Sequence, residues 1–119
     1  MKNFKVLYFT TDSGRAPVQE FIEGLDNRSQ RKIVEIVGLL EGLGASLGAP
    51  HAKYIGDDIY ELRVCGIEGQ IRVLYFFVVD DNVILVNGFI KKTWEVPRKE
   101  IDVAQQRRKA YLERHKSRG

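Results

Sequence analysis

The chain has 119 residues, enough for a single domain with one hydrophobic core, so we expect residues 1–119 to form one unit. A hydrophobic share of 44% excludes general disorder, and the single cysteine, Cys65, excludes a disulfide framework or a cysteine-rich metal site. Residues 91–119 carry ten Lys/Arg against four Asp/Glu, whereas the first ninety residues carry nine against twelve. This asymmetry predicts an end that faces a polyanion, although a solvated basic helix and tail explains it equally well.

The longest apolar run, Val73–Val79, has the length of a buried strand and is far shorter than a membrane span. The first residues lack the apolar stretch of a signal peptide. We therefore expect a cytoplasmic protein without a membrane segment.

The first half of the chain predicts a strand followed by two helices. Phe4–Thr10 is rich in β-branched and aromatic residues, which favours a strand. Pro17 suits the start of a short helix with an apolar stripe. A longer amphipathic helix then begins with Asn27 or Ser29 as its N-cap and ends at Gly42 and Gly44. Both helices need a sheet to cover their apolar stripes.

The second half predicts a meander of strands and a final helix. A short edge strand at 52–55 is an option; the strands that we expect are Ile59–Val64, Gln70–Val79 and Val83–Ile90, with a loop at 65–69 and aspartate-rich turns at 57–58 and 80–82. Pro97 opens a basic helix with a weak apolar stripe. The expected order is β-α-α-β-β-β-α, an α+β fold whose antiparallel sheet carries the helical hairpin and the basic helix on one face.

Common catalytic motifs are missing from the sequence. It contains no phosphate-binding loop, dinucleotide fingerprint, metalloprotease motif, nucleophile elbow or CxxC pair. His51 and His115 fall in a loop and in the basic tail, so an acid/base pair of histidines is not expected. The aspartates in the two turns suit turn geometry better than metal binding. We predict neither a metal site nor a small-molecule cofactor.

Cationic side chains are the remaining candidates. Arg63 ends one strand and Arg72 begins the next, so an antiparallel pairing brings both to one end of the sheet. Lys91 and Lys92 end the following strand, beside the start of the strand that carries Arg72. Arginine offers a planar fork of donors that matches phosphate geometry. Each residue also has a structural interpretation: Arg63 can pair with Glu61, and the lysines can form a solvated strand end.

An ordered set of short segments runs along almost the whole chain. The segments are GRAPV at 14–18, Glu20-Phe21, YELR at 60–63, RVLY at 72–75, GFIKKT at 88–93, Pro97, Glu100-Ile101 and Ala104. Together they resemble the phage-derived Gp49-like, HigB-type toxins of the RelE/ParE superfamily, and the resemblance is specific as an ordered set.

This resemblance implies a RelE-like α+β toxin that cuts messenger RNA in the ribosomal decoding site. It also implies a cognate helix-turn-helix antitoxin of the HigA type. By position, Arg63 and Arg72 match the strand arginines of the family, and Lys91-Lys92 match its basic pair. Two departures stand out: Asn87 where relatives often carry histidine, and Trp94 in place of a polar residue.

The mechanistic hypothesis is metal-independent attack of an RNA 2′-hydroxyl on the adjacent phosphate. Arg63 and Arg72 would stabilise the charge that gathers on the phosphoryl oxygens, and Lys91 or Lys92 would contact the backbone or transfer a proton. Trp94 is expected to be exposed and to stack on a base. Tyr60 and Tyr75 are expected in the core, the alternative being that one of them stacks on a base or donates a proton. The basic helix supplies further predicted RNA contacts, namely Arg98, Lys99, Arg107 and Arg108.

Two other functions fit the same resemblance. ParE-type relatives poison DNA gyrase through protein contacts without cutting RNA. A degenerate relative would only bind its antitoxin.

Overall fold

The computed structural model describes residues 3–67 and 69–116. Glu68 of the predicted 65–69 loop, residues 1–2 and the tail residues 117–119 lie outside the described residues. In the described part, no helix combines the length and apolarity that crossing a membrane requires. The elements are β1 (Lys5–Tyr8), α1 (Pro17–Glu23), α2 (Asn27–Leu43), a 3₁₀ turn (Gly44–Ser46), β2 (Ala52–Gly56), β3 (Ile59–Gly66), β4 (Gly69–Val78), β5 (Asn82–Lys91) and α3 (Arg98–His115).

The five strands form one mixed sheet in the order β1-β5-β4-β3-β2. Strands β2 to β5 form the predicted antiparallel meander, and β2 is the short edge strand. The prediction of a wholly antiparallel sheet is wrong, because β1 pairs with β5 in parallel. The helical hairpin carries the chain from one sheet edge to the other, so the meander returns to β1 running in the same direction.

The helices lie on both faces of the sheet, so the prediction of a single covered face is also wrong. Helices α1 and α2 bury Val18, Ile22 and Leu40 against one face. Helix α3 buries Ala104 on the opposite face, among side chains of β4 and β5. The physical reason lies in β4, whose residues from Ile71 to Phe76 are all buried. A strand that is buried on both sides requires cover on both sides.

Short-range signals place the ends of the elements. The N-cap of α2 is Asp26 rather than Asn27 or Ser29: its carboxylate accepts hydrogen bonds from the Ser29 amide at 2.9 Å and the Ser29 hydroxyl at 2.7 Å. The Ser29 hydroxyl lowers the pKa of Asp26, and the amide bond adds to the effect. The predicted turns are confirmed, because Asp57 and Asp58 adopt φ of 51° and 66°, a left-handed pair that suits a two-residue hairpin.

Gly88 sets how closely α1 packs on β5, and its replacement is expected to destabilise the fold. A Cβ at Gly88 would lie 2.5 Å from Cδ2 of the Phe21 ring. Gly88→Ala should lower the free energy of unfolding by about 1–3 kcal/mol through overpacking. The matched control is Gly38→Ala, an exposed position of α2 with no atom within 4 Å of the added Cβ, which should gain about 0.5–1 kcal/mol. Urea unfolding measures both; wild-type stability of Gly88→Ala would contradict the packing.

Candidate functional site

Arg63 and Arg72 face each other directly across strands β3 and β4. Side chains two residues apart on a strand share a face, so Glu61 and Arg63 project from the same side. Glu61 pairs with Leu74, which packs in the cluster beneath α3. The two arginines and the glutamate therefore project from the face of the sheet that α3 covers.

The Glu61 carboxylate lies between the two guanidinium groups. Its Oε1 is 3.4 Å from Nε of Arg63, and its Oε2 is 3.4 Å from Nε of Arg72. The side chains of Glu61 and Arg72 are only 2% and 6% exposed, whereas that of Arg63 is 35% exposed. The bridge thus joins one buried and one accessible arginine, and the predicted pairing of Arg63 with Glu61 is observed.

Arg72 is held on several sides. Its Nη1 donates to the carbonyl of Ile71 at 3.0 Å and to Oε1 of Gln70 at 3.3 Å. Burial lowers the pKa of Arg72, the Glu61 charge opposes this shift, and the Arg63 charge adds to it. Because the ordinary pKa of arginine is very high, the Arg72 guanidinium stays charged. Arg72 is therefore a fixed cation at this end of the sheet.

The four predicted cations meet around one open cleft of about 550 Å³. Lys91 pairs with Gln70 in the β4–β5 register, which places it beside Arg72, and Lys92 follows at the end of β5. The cleft is lined by Arg63, Gly69, Gln70, Arg72, Lys91, Lys92, Thr93 and Trp94. The sequence predicted this convergence; the catalytic roles of the cations stay predictions.

The aromatic residues divide as expected. Trp94 is 97% exposed and stands at the cleft, beside Lys92 in the lining. Tyr75 is fully buried in the core and stacks on Tyr60 with ring centroids 5.4 Å apart. Burial raises the pKa of Tyr75, so its phenol stays protonated. Trp94 is therefore an exposed aromatic side chain at the cleft, and its role in RNA binding stays a prediction.

The α3 cations lie apart from the cleft lining. Arg98 and Lys99 are exposed at the start of the helix, where Arg98 Nε lies 3.1 Å from Asp102. Arg107 and Arg108 instead face the protein. Arg107 Nη1 donates to the Val86 carbonyl at 2.8 Å, and Arg108 Nη2 lies 3.2 Å from the Asp58 carboxylate. Their role in RNA binding stays a prediction, and the contacts show that both arginines hold α3 on the sheet.

Asn87 occupies a position between β5 and α3. Its Nδ2 donates to Oε1 of Glu100 at 2.9 Å and to the Glu100 carbonyl at 3.2 Å, while its Oδ1 accepts from Arg107 at 3.4 Å. The side chain is buried and lies outside the lining of the cleft. Asn87 thus serves to anchor α3 on β5.

Histidines and potential metal ligands are dispersed. Across residues 3–67 and 69–116, no three His, Cys, Asp or Glu side chains are grouped so that they could hold a metal ion. His51 borders a second cavity of about 530 Å³, which shares Arg63, Gln70 and Arg72 with the cleft. His115 stacks on Tyr111 at the end of α3. Neither imidazole lines the cationic cleft.

Sequence reasoning missed two polar groups of the site. It assigned Glu61 to Arg63 alone, although the carboxylate also reaches Arg72. It gave no role to Gln70, which supports Arg72 and lines the cleft. The contact between Glu61 and Arg72 could have been predicted from the direct pairing of residues 63 and 72, because that register places Glu61 diagonally across from Arg72.

The fold and the cleft define a small α+β domain that presents clustered cations and one exposed indole at the end of a sheet. Residues 20–109 match the family described as phage derived protein Gp49-like (DUF891). The chain belongs to this family, which is a RelE/HigB-like toxin family, and the resemblance seen in the sequence is confirmed. A comparison with curated proteins gave no match.

Proposed function

We propose that the protein is the toxin of a type II toxin–antitoxin system and that it cuts messenger RNA on the ribosome without a metal ion. The cleft itself is the main observation in support of this proposal. Arg63, Arg72, Lys91 and Lys92 converge on one open space with an exposed tryptophan beside them. Clustered cations with an aromatic platform suit single-stranded RNA, whose backbone is anionic and whose bases stack.

The geometry supports attack by a 2′-hydroxyl on the adjacent phosphate. The O2′–P bond forms as the P–O5′ bond breaks, O2′ loses its proton to solvent and O5′ gains one, which leaves a 2′,3′-cyclic phosphate and a 5′-hydroxyl. In the described part of the chain, the Nη atoms of Arg63 have no hydrogen-bond partner, so they are available to the phosphoryl oxygens. Donors already aimed at developing charge stabilise the transition state most effectively. Lys91 or Lys92 would hold the backbone or pass a proton to O5′.

The composition of the cleft supports dependence on the ribosome. Among the described residues that line it there is no carboxylate and no imidazole. General base catalysis typically contributes about 10²–10⁴-fold, so an enzyme without such a base works slowly unless its substrate is already aligned. We infer that the ribosome aligns the RNA backbone, and that purified protein alone cleaves free RNA weakly.

The proposed setting is the bacterial cytoplasm, with a HigA-like helix-turn-helix protein as antitoxin. The family assignment supports a toxin–antitoxin context. A reading frame for a small helix-turn-helix protein beside the gene would support the pairing. Co-expression of that protein should restore growth, and the protein should co-purify with the toxin.

Expression in a bacterial host with mapping of transcript ends tests the proposal. We expect growth arrest together with new 5′ ends inside translated frames. Growth arrest with intact transcripts and trapped gyrase–DNA complexes would instead establish a gyrase poison. Well-folded protein that causes no arrest would establish a degenerate relative.

Trp94 provides a direct test of RNA at the cleft, because it is the only tryptophan of the chain. Binding of a short single-stranded RNA should change its fluorescence. Trp94→Ala should weaken that binding by about 1–3 kcal/mol, the usual value of one stacked base. The melting temperature should not change, since the side chain is almost fully exposed. Val79→Ala, at the exposed β4–β5 turn, is the control; unchanged fluorescence at saturating RNA would contradict the placement.

A further inference from the structure

The Glu61 carboxylate is the most deeply buried charged group of the site. It contacts Arg63 and Arg72 through one oxygen each, both at 3.4 Å. It does not line the cleft, so it has no direct access to a substrate phosphate. Any contribution of Glu61 to function therefore passes through the two arginines.

Both contacts use the Nε atom of the arginine rather than its terminal nitrogens. A carboxylate at Nε faces the edge of the guanidinium formed by Nε–H and one Nη–H, and the remaining N–H groups point away from it and are the ones that can bind phosphate. Arg63 has no Nη hydrogen bond in the described part of the chain. The Glu61 carboxylate thus contacts the Nε edge of two guanidinium groups and leaves the terminal nitrogens of Arg63 free.

Stability alone does not explain this arrangement. Burying a carboxylate is unfavourable, and apolar replacements of a buried ion pair are often as stable or more so. The Glu61–Arg72 contact is also incomplete, because Oε2 of Glu61 and Nε of Arg72 have no hydrogen-bond partner among the described residues. An imperfect contact of this kind fits a group retained for orientation.

We propose that Glu61 is a positioning residue that holds Arg63 and Arg72 in register for one phosphate group. The cleavage part of this inference rests on the proposed function, whereas the alignment of the arginines does not. The negative charge of Glu61 also lowers the net positive charge around the cleft below the sum of its four cations. Positioning of the arginines and neutralisation of charge can be distinguished, because loss of a negative charge alone should strengthen the binding of an anion.

Nuclear magnetic resonance of the arginine Nε–H groups in the wild-type protein gives the first test. Arg63 should be as rigid as buried Arg72, although its side chain is about one third exposed. Arg31 on α2 is exposed and serves as the flexible reference. An Arg63 signal as mobile as that of Arg31 would overturn the proposal without any variant having to fold.

Glu61→Gln keeps the side-chain shape and removes the charge, and Glu113→Gln, exposed near the end of α3, is the control for net charge. In Glu61→Gln the Nε–H group of Arg63 should become mobile, whereas Arg72, which Gln70 and the Ile71 carbonyl also hold, should show only a shifted signal. Inorganic phosphate should shift both signals together in the wild-type protein and should no longer do so in Glu61→Gln. Unchanged signals and an unchanged phosphate response would overturn the proposal. Glu61→Asp, which keeps the charge on a shorter side chain, should restore part of the response.

Cleavage of ribosome-bound messenger RNA separates positioning from charge. Glu61→Gln should lower kcat by about 10- to 100-fold, since misplacement of about 1 Å has effects of that size, with KM unchanged or lower. Wild-type kcat with lower KM would mean that Glu61 only neutralises charge, and the proposal would fail. If wild-type protein cuts no message, the proposed function fails, while the phosphate and rigidity measurements still test the alignment.

Discussion

Arg63→Ala is expected to slow cleavage of ribosome-bound messenger RNA by about 10²–10³-fold, the usual effect of removing one preorganised donor from a transition state. Arg63 is the accessible arginine of the cleft, with its terminal nitrogens free to meet phosphoryl oxygens. The free energy of unfolding should stay within about 1 kcal/mol of wild type, because a partly exposed ion pair contributes little. Rates on programmed ribosomes and urea unfolding measure the two quantities.

The control for Arg63→Ala is Arg31→Ala, an exposed arginine on α2 that is outside the cleft. It removes the same charge and should leave the cleavage rate unchanged. Equal losses in the two variants would assign the effect to net charge. Full activity of Arg63→Ala would remove this residue from the mechanism.

Arg72→Ala is expected to act mainly on stability, with a loss of about 3–5 kcal/mol in the free energy of unfolding. The substitution leaves the buried carboxylate of Glu61 with only the partly exposed Arg63 as partner. A loss of this size is a large part of the total stability of a small domain. Arg72→Ala alone is therefore a poor test of catalysis, because inactivity would follow from unfolding.

The double variant Glu61→Leu with Arg72→Leu resolves this ambiguity. Replacing both members of a buried ion pair by apolar residues is often neutral for stability, so the double variant should recover most of the loss. It should remain inactive in cleavage, since the buried cation is gone. A double variant as unstable as Arg72→Ala would show that the pair is not the source of the loss.

The sequence predicted the cationic cleft because the relevant signals are local. A short connection between two apolar strands fixes an antiparallel pairing, which sets Arg63 opposite Arg72 and Lys91 near both. The exposure of Trp94 and the burial of Tyr75 followed from the same pattern. Aspartates at 57–58 and 80–81 marked both hairpin turns, because aspartate tolerates left-handed backbone angles.

The remaining features depend on tertiary contacts that the chain pattern does not specify. The parallel pairing of β1 with β5 joins residues nearly eighty positions apart. Helix α3 has a weak apolar stripe, so the face of the sheet on which it packs could not be predicted from the spacing of its apolar residues. Arg107 and Arg108 resemble solvated cations in the sequence but contact Val86 and Asp58 across the fold. Long aliphatic stems allow such arginines to pack while their charged ends find partners.

Cleavage of a defined message on purified ribosomes decides whether the cleft cuts messenger RNA. Purified wild-type protein and Arg63→Ala are added to ribosomes programmed with a defined message, and the fragment ends are sequenced and chemically typed. We expect cuts within the frame that carry a 5′-hydroxyl downstream and a cyclic phosphate upstream, with Arg63→Ala strongly impaired. Intact message in the presence of folded wild-type protein, or equal cutting by both proteins, would contradict the claim.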